Sequence, residues 1–172
     1  FTPVARGCHF DCRLCHDHRQ QTCTALLEVT QRCDLRCAFC FASSGKGDGS
    51  PDPRLDVIEG WYRSLLRAGG PYNVQLSGGE PTMRDDLPEI VALGRELGFG
   101  FIQVNTNGRR FARDPGYVAA LKEAGLTSVF LQFDGTEDAI HERLRGRPLM
   151  AEKEAAIAAC VEHGLGVILV PT

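Results

Sequence analysis

The sequence predicts an α/β protein whose parallel strands alternate with helices. Short apolar runs recur roughly every 30 residues, which is the length of a β–α–β unit, and an amphipathic segment of helical period separates most runs. Parallel strands joined in this way take right-handed crossovers, and continuous apolar runs suit a sheet covered on both faces. Five such repeats without a closing strand predict parallel (β/α) repeats forming a partial TIM-like barrel, truncated after strand five.

The first two repeats are delimited by helical periodicity and by glycine stops. The apolar positions of the first helix recur at helical spacing until the Gly-Gly-Pro sequence at 69–71 ends it. The second helix begins at Asp85 or Asp86, either of which can cap it, and ends at Gly98. The predicted elements of this half are strand 26–30, helix 54–68, strand 73–76 and helix 85–98.

The remaining repeats follow the same pattern. Asp114 and Pro115 open the third helix, which Gly125 ends, and Thr136 caps a shorter helix. The strand before that short helix is a continuous apolar run, as expected inside a parallel sheet. The predicted elements of this half are strand 101–104, helix 114–125, strand 129–134, helix 136–144, helix 151–163 and strand 167–170.

Composition and charge exclude several classes of protein. The 172 residues carry 19 Lys and Arg against 22 Asp and Glu, a formal net charge of -3, so no nucleic-acid partner is expected. With 43% hydrophobic and 24% charged residues the chain is globular, and no apolar run approaches the ~20 residues of a membrane-spanning helix. The chain begins with Phe1, and we interpret it as a fragment of a longer protein.

Cysteine is the outlier of the composition. Seven of the 8 cysteines lie in the first 40 residues, and this density in a chain of this size favours metal binding over a secreted disulfide framework. We therefore divide the chain into a Cys-rich auxiliary metal or iron–sulfur segment at residues 1–24 and an α/β core at residues 25–172. Unpaired thiols predict a cytoplasmic protein.

Three closely spaced cysteines follow the first predicted strand: Cys33, Cys37 and Cys40. Three neighbouring thiols cannot all pair as disulfides, so we expect them to converge on one metal centre. A cubane iron–sulfur cluster is normally held by four cysteines, and three would leave one iron open to a further ligand. The alternative is a zinc knuckle that takes its fourth ligand from a distant part of the chain.

A second motif, Gly78-Gly79-Glu80-Pro81-Thr82, follows the second predicted strand. Two glycines let the backbone approach a ligand closely, and a carboxylate accepts hydrogen bonds from an ammonium group. An ordinary strand-to-helix turn would also explain a Gly-Gly pair. Its position favours function, because the carboxyl ends of parallel strands meet at one edge of the sheet, where α/β proteins bind ligands.

The Cys-x3-Cys-x2-Cys loop and the Gly-Gly-Glu-Pro motif together resemble the radical S-adenosylmethionine (radical SAM) superfamily. The resemblance covers about residues 24–172 and implies that Cys33, Cys37 and Cys40 hold a 4Fe–4S cluster whose fourth iron binds SAM. The cofactor contacts that it implies are Phe39 against the adenine, Gly78, Gly79 and Glu80 at the amino group, and Thr106, Asn107, Gln132 and Asp134 near cofactor or substrate. For the last four, the alternative is that strand-end polar side chains cap backbone groups.

The resemblance also implies an enzyme and its chemistry. Reductive cleavage of SAM would give methionine and a 5′-deoxyadenosyl radical, which abstracts hydrogen from an unactivated C–H bond. A reductant protein such as ferredoxin or flavodoxin would supply the electron. Because the cofactor performs the difficult step, we predict no catalytic side chain beyond the cluster ligands.

A further cysteine group precedes the core: Cys8, Cys12, Cys15 and Cys23. Four thiolates complete a closed site, either a 4Fe–4S cluster or a single iron or zinc ion, and His9, His16 and His18 are alternative ligands. The stretch resembles the subgroup around archaeal tetraether lipid synthase, formerly described as a pterin methylase. In that subgroup the early cysteines hold an auxiliary cluster.

Some positions depart from that pattern or have a simpler explanation. His9 and Ala38 stand where relatives often have Pro, and Asp34 stands where Asn is common. These residues lie between ligands, so we expect them to affect substrate choice more than cluster binding. Cys160 is expected to pack in the core, and residues 143–147 to form a solvated basic face.

Three functions are compatible with the sequence. The first is a radical SAM enzyme that joins or modifies lipid alkyl chains, in which case the protein would visit the membrane surface. The second is the same chemistry on a polar small molecule, such as methylation of a pterin. The third is a non-catalytic zinc-binding module. An aliphatic tunnel would favour the lipid, whereas a polar pocket with Arg or Asp at its mouth would favour the pterin.

Overall fold

The computed structural model describes residues 23–40, 43–44 and 51–171. These ranges form a sheet of five parallel strands in the order β1-β2-β3-β4-β5, which confirms the predicted α/β class. The strands are β1 Thr24–Thr30, β2 Asn73–Gly78, β3 Ile102–Thr106, β4 Ser128–Gln132 and β5 Gly166–Val170. The helices are α1 Leu55–Arg67, α2 Leu87–Glu96, α3 Arg109–Arg113, α4 Pro115–Glu123, α5 Asp138–Arg145 and α6 Met150–Glu162, with a 3₁₀ turn at Pro81–Met83.

The strand order determines which face the helices cover. When each parallel strand lies beside its predecessor, right-handed crossovers place the connecting helices on one face. Buried strand residues alternate accordingly and join the helices in one core: Ala25, Val29, Val74, Leu76, Ile102, Val104, Val129 and Leu131. The helices therefore cover one face of the sheet. The expectation from the apolar runs, that helices cover both faces, is wrong.

The opposite face carries a row of polar side chains across three strands. Gln75 Nε2 donates to Gln103 Oε1 at 3.0 Å, and Gln103 Nε2 donates to Ser128 Oγ at 2.8 Å. The three residues are register partners on β2, β3 and β4, so their side chains stand side by side. A satisfied polar row of this kind suits the inner face of a curved sheet rather than a second helix layer.

The predicted amphipathic faces pack as expected. Ile58, Tyr62 and Leu65 of α1 are buried, and the rings of Tyr62 and Phe99 lie 5.0 Å apart between centroids. Cys160 is fully buried in α6, which confirms its expected place in the core. Within the described ranges, no helix combines the length and apolar character needed to cross a bilayer.

Two predicted helix caps are wrong, and two short elements escaped prediction. Asp86 precedes α2, but its carboxylate pairs with Arg84 at 2.6 Å instead of capping the helix. Thr136 does not cap α5, which begins after Glu137 without a side-chain cap. The 3₁₀ turn and α3 are too short to show helical periodicity. Asp114 does cap α4, accepting from the Tyr117 amide at 3.1 Å.

Gly94 is where α2 packs most tightly against its neighbours. A Cβ at this position would lie 2.7 Å from Ile102 Cδ1 and 2.9 Å from Tyr62 Cζ, both inside the core. Gly94→Ala should therefore lower the free energy of unfolding by about 1–3 kcal/mol, measured by urea denaturation. Gly60→Ala in α1 is the control, because a Cβ there meets nothing within 4 Å and should stabilise by about 0.5–1 kcal/mol. Equal effects of the two substitutions would contradict this packing.

Candidate functional site

A cavity of about 240 Å³ opens at the carboxyl ends of the strands. Its walls come from the loop after β1, the ends of β2, β3, β4 and β5, and helix α5. The lining residues are Cys33, Leu35, Cys37, Phe39, Cys40, Ser77, Gly78, Gly79, Glu80, Asn105, Thr106, Asn107, Gln132, Arg145 and Val170. The structure thus brings together the three core cysteines and every predicted cofactor contact except Asp134, which lies behind Gln132.

Of the predicted auxiliary group, the described residues include Cys23, which does not line this cavity. Cys23 is exposed and directly precedes β1, so it lies at the amino ends of the strands. Cys8, Cys12 and Cys15, together with the histidines among them, lie outside the described residues.

The three core cysteines all line the cavity. The Leu35 amide faces Cys33 Sγ at 3.5 Å, the Ser44 amide faces Cys40 Sγ at 3.3 Å, and Arg145 hydrogen-bonds to Cys37. Burial raises the pKa of the Cys33 thiol to about 11. Among the described residues, no three His, Cys, Asp or Glu side chains are close enough to hold a single metal ion. Sulfurs that each have an N–H donor suit a cluster of several irons, because such donors stabilise sulfur-bound charge.

Gly78 and Gly79 allow two stretches of backbone to approach each other. Gly79 N donates to Thr30 O at 2.7 Å, and Glu80 N donates to Arg32 O at 2.8 Å. A Cβ on Gly78 would overlap the Thr30 carbonyl oxygen, and a Cβ on Gly79 would overlap that of Arg32. The glycines are therefore required where β2 meets the start of the cysteine loop, in addition to any contact with a ligand.

Glu80 is a buried carboxylate that links the ends of β2 and β3. It is 2% exposed and accepts hydrogen bonds from the Thr82 amide at 3.1 Å, Thr82 Oγ1 at 2.6 Å, Thr106 Oγ1 at 2.6 Å and the Asn107 amide at 2.7 Å. Burial raises the pKa of Glu80, while these donors counteract that rise. Three of these bonds end on Oε1 and only the Asn107 amide reaches Oε2, so Oε2 of this cavity-lining residue can accept a further donor.

The turn after β3 caps itself and also anchors the cysteine loop. Thr106 Oγ1 accepts from the Gly108 amide at 3.0 Å, and Asn107 Oδ1 accepts from the Arg109 amide at 2.9 Å, so both side chains cap backbone groups and also line the cavity. Asn107 Nδ2 donates to Asp34 Oδ1 at 2.8 Å, and Arg109 forms an ion pair with the same carboxylate. Asp34 therefore fixes the cysteine loop to the end of β3.

Arg145 and Asp134 form a buried ion pair beside the cavity. The guanidinium donates from Nε at 2.7 Å and from Nη2 at 2.6 Å, and it is 8% exposed while the Asp134 side chain is fully buried. The expectation that residues 143–147 form a solvated basic face is therefore wrong at Arg145. Gln132 Nε2 also donates to Asp134, which places this carboxylate behind the cavity wall.

Lys153 is a functional candidate that sequence reasoning missed. It sits in the first turn of α6, fully buried, with Nζ 2.7 Å from the Asn107 carbonyl oxygen and 3.1 Å from Gln132 Oε1. Burial lowers the pKa of Lys153 to about 8. The one available signal was a lysine on the inward face of an otherwise Ala-rich helix, three residues before the buried Ala156.

Comparison with protein families gives one match across most of the chain. The sequence model of the Radical SAM superfamily matches residues 27–172. The chain is 39% identical over 173 residues to the 7,8-dihydro-6-hydroxymethylpterin dimethyltransferase of Methanocaldococcus jannaschii, covering 99% of this chain and 34% of the relative. It is 34% identical over 149 residues to the GTP 3′,8-cyclase of Edwardsiella ictaluri, covering 85% of this chain and 44% of that relative. The chain thus spans less than half the length of these curated relatives.

Solved structures share the fold at low sequence identity. SuiB of Streptococcus suis bound to the precursor peptide SuiA superposes with a TM-score of 0.70 at 20% identity, covering 86% of this chain and 32% of SuiB. Native anSMEcpe with bound AdoMet superposes with a TM-score of 0.67 at 21% identity, covering 86% of this chain and 43% of that protein.

The close approach at Gly79 generates a test. Gly79→Ala should push the Arg32 carbonyl away, lower the free energy of unfolding by about 1–3 kcal/mol and reduce the iron bound per chain after anaerobic reconstitution. Gly100→Ala is the matched control, since a Cβ there meets nothing within 4 Å. Iron content would be measured colorimetrically. Equal iron content in both variants would show that this contact does not shape the cysteine loop.

Proposed function

The chain belongs to the radical SAM superfamily, and we propose that it is the core of an enzyme that holds a 4Fe–4S cluster and SAM in the cavity at the strand ends. The superfamily uses both groups. The observation that carries the proposal is the meeting of Cys33, Cys37 and Cys40 with the Gly78–Glu80 segment around a single cavity.

We assign the cluster to Cys33, Cys37 and Cys40. The three cysteines line the same cavity, and N–H donors face each of the thiols, which offsets the negative charge of ligating thiolates. Asp34 and its partners after β3 hold the loop that carries them. The predicted auxiliary site at Cys8, Cys12, Cys15 and Cys23 stays a prediction.

We assign SAM to the space beside these thiols. The Phe39 side chain is 75% exposed at the cavity and is free to lie against a planar ring. Gly78 and Gly79 line the cavity with backbone, and Thr106, Asn107 and Gln132 add polar side chains. Glu80, which lines the cavity, is the proposed acceptor for the SAM amino group through Oε2, and Asp134, whose side chain is buried, positions Gln132.

When bound, the cluster and SAM supply reductive cleavage of a sulfonium and hydrogen abstraction by the resulting radical. The chain itself supplies the enclosure. Leu35 and Val170 limit water at the cavity wall, while Arg145 keeps a positive charge beside Cys37. A ferredoxin- or flavodoxin-like protein is the proposed electron donor.

For the substrate we propose a polar small molecule of the pterin kind. The exposed cavity wall is mostly apolar, but amide and hydroxyl groups of Ser77, Asn105, Thr106, Asn107 and Gln132 are placed on it, with Arg145 at the cysteine side. The Gln75, Gln103 and Ser128 row lies on the same side of the sheet, outside the cavity lining. Such a surface suits a heteroaromatic molecule with many hydrogen-bonding groups better than an alkyl chain. The Methanocaldococcus relative, whose name describes a pterin dimethyltransferase, supports the same assignment.

The cluster assignment predicts a clear difference among cysteine variants. Replacing Cys33, Cys37 or Cys40 by Ala in the full-length protein should abolish formation of 5′-deoxyadenosine from SAM under dithionite, because a cluster lacking one thiolate does not assemble properly. Cys160→Ala should retain it, since Cys160 is buried in α6 away from the cavity. Chromatographic detection of 5′-deoxyadenosine would make the comparison. Cleavage at the wild-type rate in any of the three cavity variants would refute the assignment.

The substrate assignment is tested by comparing the rate of 5′-deoxyadenosine formation with two candidate substrates. The reconstituted full-length protein should form 5′-deoxyadenosine faster with a reduced pterin than with a saturated glycerolipid, and the pterin should gain the mass of one CH2 unit as a methyl group replaces a hydrogen atom. The same assay without substrate gives the uncoupled rate. Stimulation by the lipid alone, with new carbon–carbon bonds between its chains, would replace the pterin assignment by lipid coupling.

A further inference from the structure

Lys153 is fully buried, and the burial of a charged side chain requires an explanation. It is 0% exposed, and it is not among the residues that line the cavity. Removing an ammonium group from water is costly, and lysines are rarely buried without partners. Its side chain reaches from α6 to the strand ends, where it contacts two residues that do line the cavity.

The two partners of Lys153 belong to neighbouring strands. Nζ donates to the Asn107 carbonyl oxygen at 2.7 Å and to Gln132 Oε1 at 3.1 Å. Asn107 follows β3 and Gln132 ends β4, and β3 and β4 are paired in the sheet. One nitrogen atom therefore bridges the ends of two adjacent strands from behind the cavity.

The bridge also decides the orientation of the Gln132 amide. Lys153 Nζ donates to one end of this amide, and the Asp134 carboxylate accepts from the other end. Gln132 Oε1 must therefore face α6 and Nε2 must face Asp134, which Arg145 holds with two further hydrogen bonds. The Gln132 amide at the cavity wall therefore has a fixed orientation of its donor and acceptor atoms.

The neighbouring residue of α6 strengthens this arrangement. Glu152 pairs with Arg109 at 2.9 Å, while Lys153 holds the carbonyl of Asn107, two residues earlier in the same turn. The first turn of α6 thus contacts the turn after β3 through two side chains. Glu152 acts through a partly exposed ion pair, whereas the Lys153 contacts are buried and directed at cavity-lining groups.

We infer that Lys153 is a positioning residue that fixes the cavity-facing groups of Asn107 and Gln132 and thereby raises the affinity of the cavity for SAM. This inference rests on the proposed function. Lys153 touches neither the cavity nor the thiols, so its effect passes through these two partners.

The test compares two lysine variants of the full-length protein after anaerobic cluster reconstitution. Lys153→Met keeps the length of the side chain and removes the donor. Lys122→Met is the matched control, because Lys122 Nζ donates to the Gly164 carbonyl at 2.6 Å on the surface, far from the cavity. Equilibrium dialysis with labelled SAM, corrected for iron content, should give about tenfold weaker binding for Lys153→Met and no change for Lys122→Met.

A second readout separates positioning from a general loss of folded protein. The KM for SAM should rise about tenfold in Lys153→Met while kcat stays within about twofold. Gln132→Met should weaken SAM binding by itself, and adding Lys153→Met to it should cause less than the product of the two single effects. If the loss of SAM affinity in the double variant equals the product of the two single losses, the claim that Lys153 acts through Gln132 is overturned.

Two further outcomes discriminate the inference from the proposed function. A wild-type protein that carries the cluster but binds no SAM would overturn the proposed function. Wild-type binding that Lys153→Met leaves unchanged would overturn only the inference. If Lys153→Met fails to fold, Lys153→Arg keeps the charge but moves the donors, and unchanged SAM affinity in that variant would equally overturn the inference.

Discussion

The buried carboxylate of Glu80 holds the ends of β2 and β3 together. It accepts four hydrogen bonds, two from Thr82 and two from the Thr106-Asn107 pair, and the latter two residues line the cavity. A buried carboxylate with several donors is stable only when all of them are in place, since leaving it unpaired in a low-dielectric interior is costly. The positions of the cysteine loop, through Asn107 and Asp34, and of Lys153 depend on this group.

The β–α repeats could be predicted from the sequence because their signals lie within short segments of the chain. Apolar periodicity and glycine stops located the main strands and helices, and the parallel topology then brought the cysteine loop and the Gly78–Glu80 motif to one edge. Partners far apart in the chain leave no such local signal. The sequence alone therefore predicts a surface position for Arg145 and indicates no role for Lys153, although each contacts a residue that lines the cavity.

The glycine motif shows how a correct location can have an incomplete explanation. The sequence suggested that Gly78 and Gly79 make room for a ligand. In the structure they also make room for the backbone of Thr30 and Arg32. A single sequence does not reveal which neighbour approaches a glycine, because that neighbour is set by the pairing of β1 with β2.

Asp34 joins the cysteine loop to the turn after β3 across 73 and 75 positions of the chain. Contacts of such long sequence separation form only after the intervening strands have paired, because closing long loops costs entropy first. The cysteines to which we assign the cluster are close neighbours in sequence, and under this assignment they would require no such closure to bind iron. The timing of metal capture and the timing of pocket completion are therefore separable during folding, with the thiols available before the enclosure that protects them.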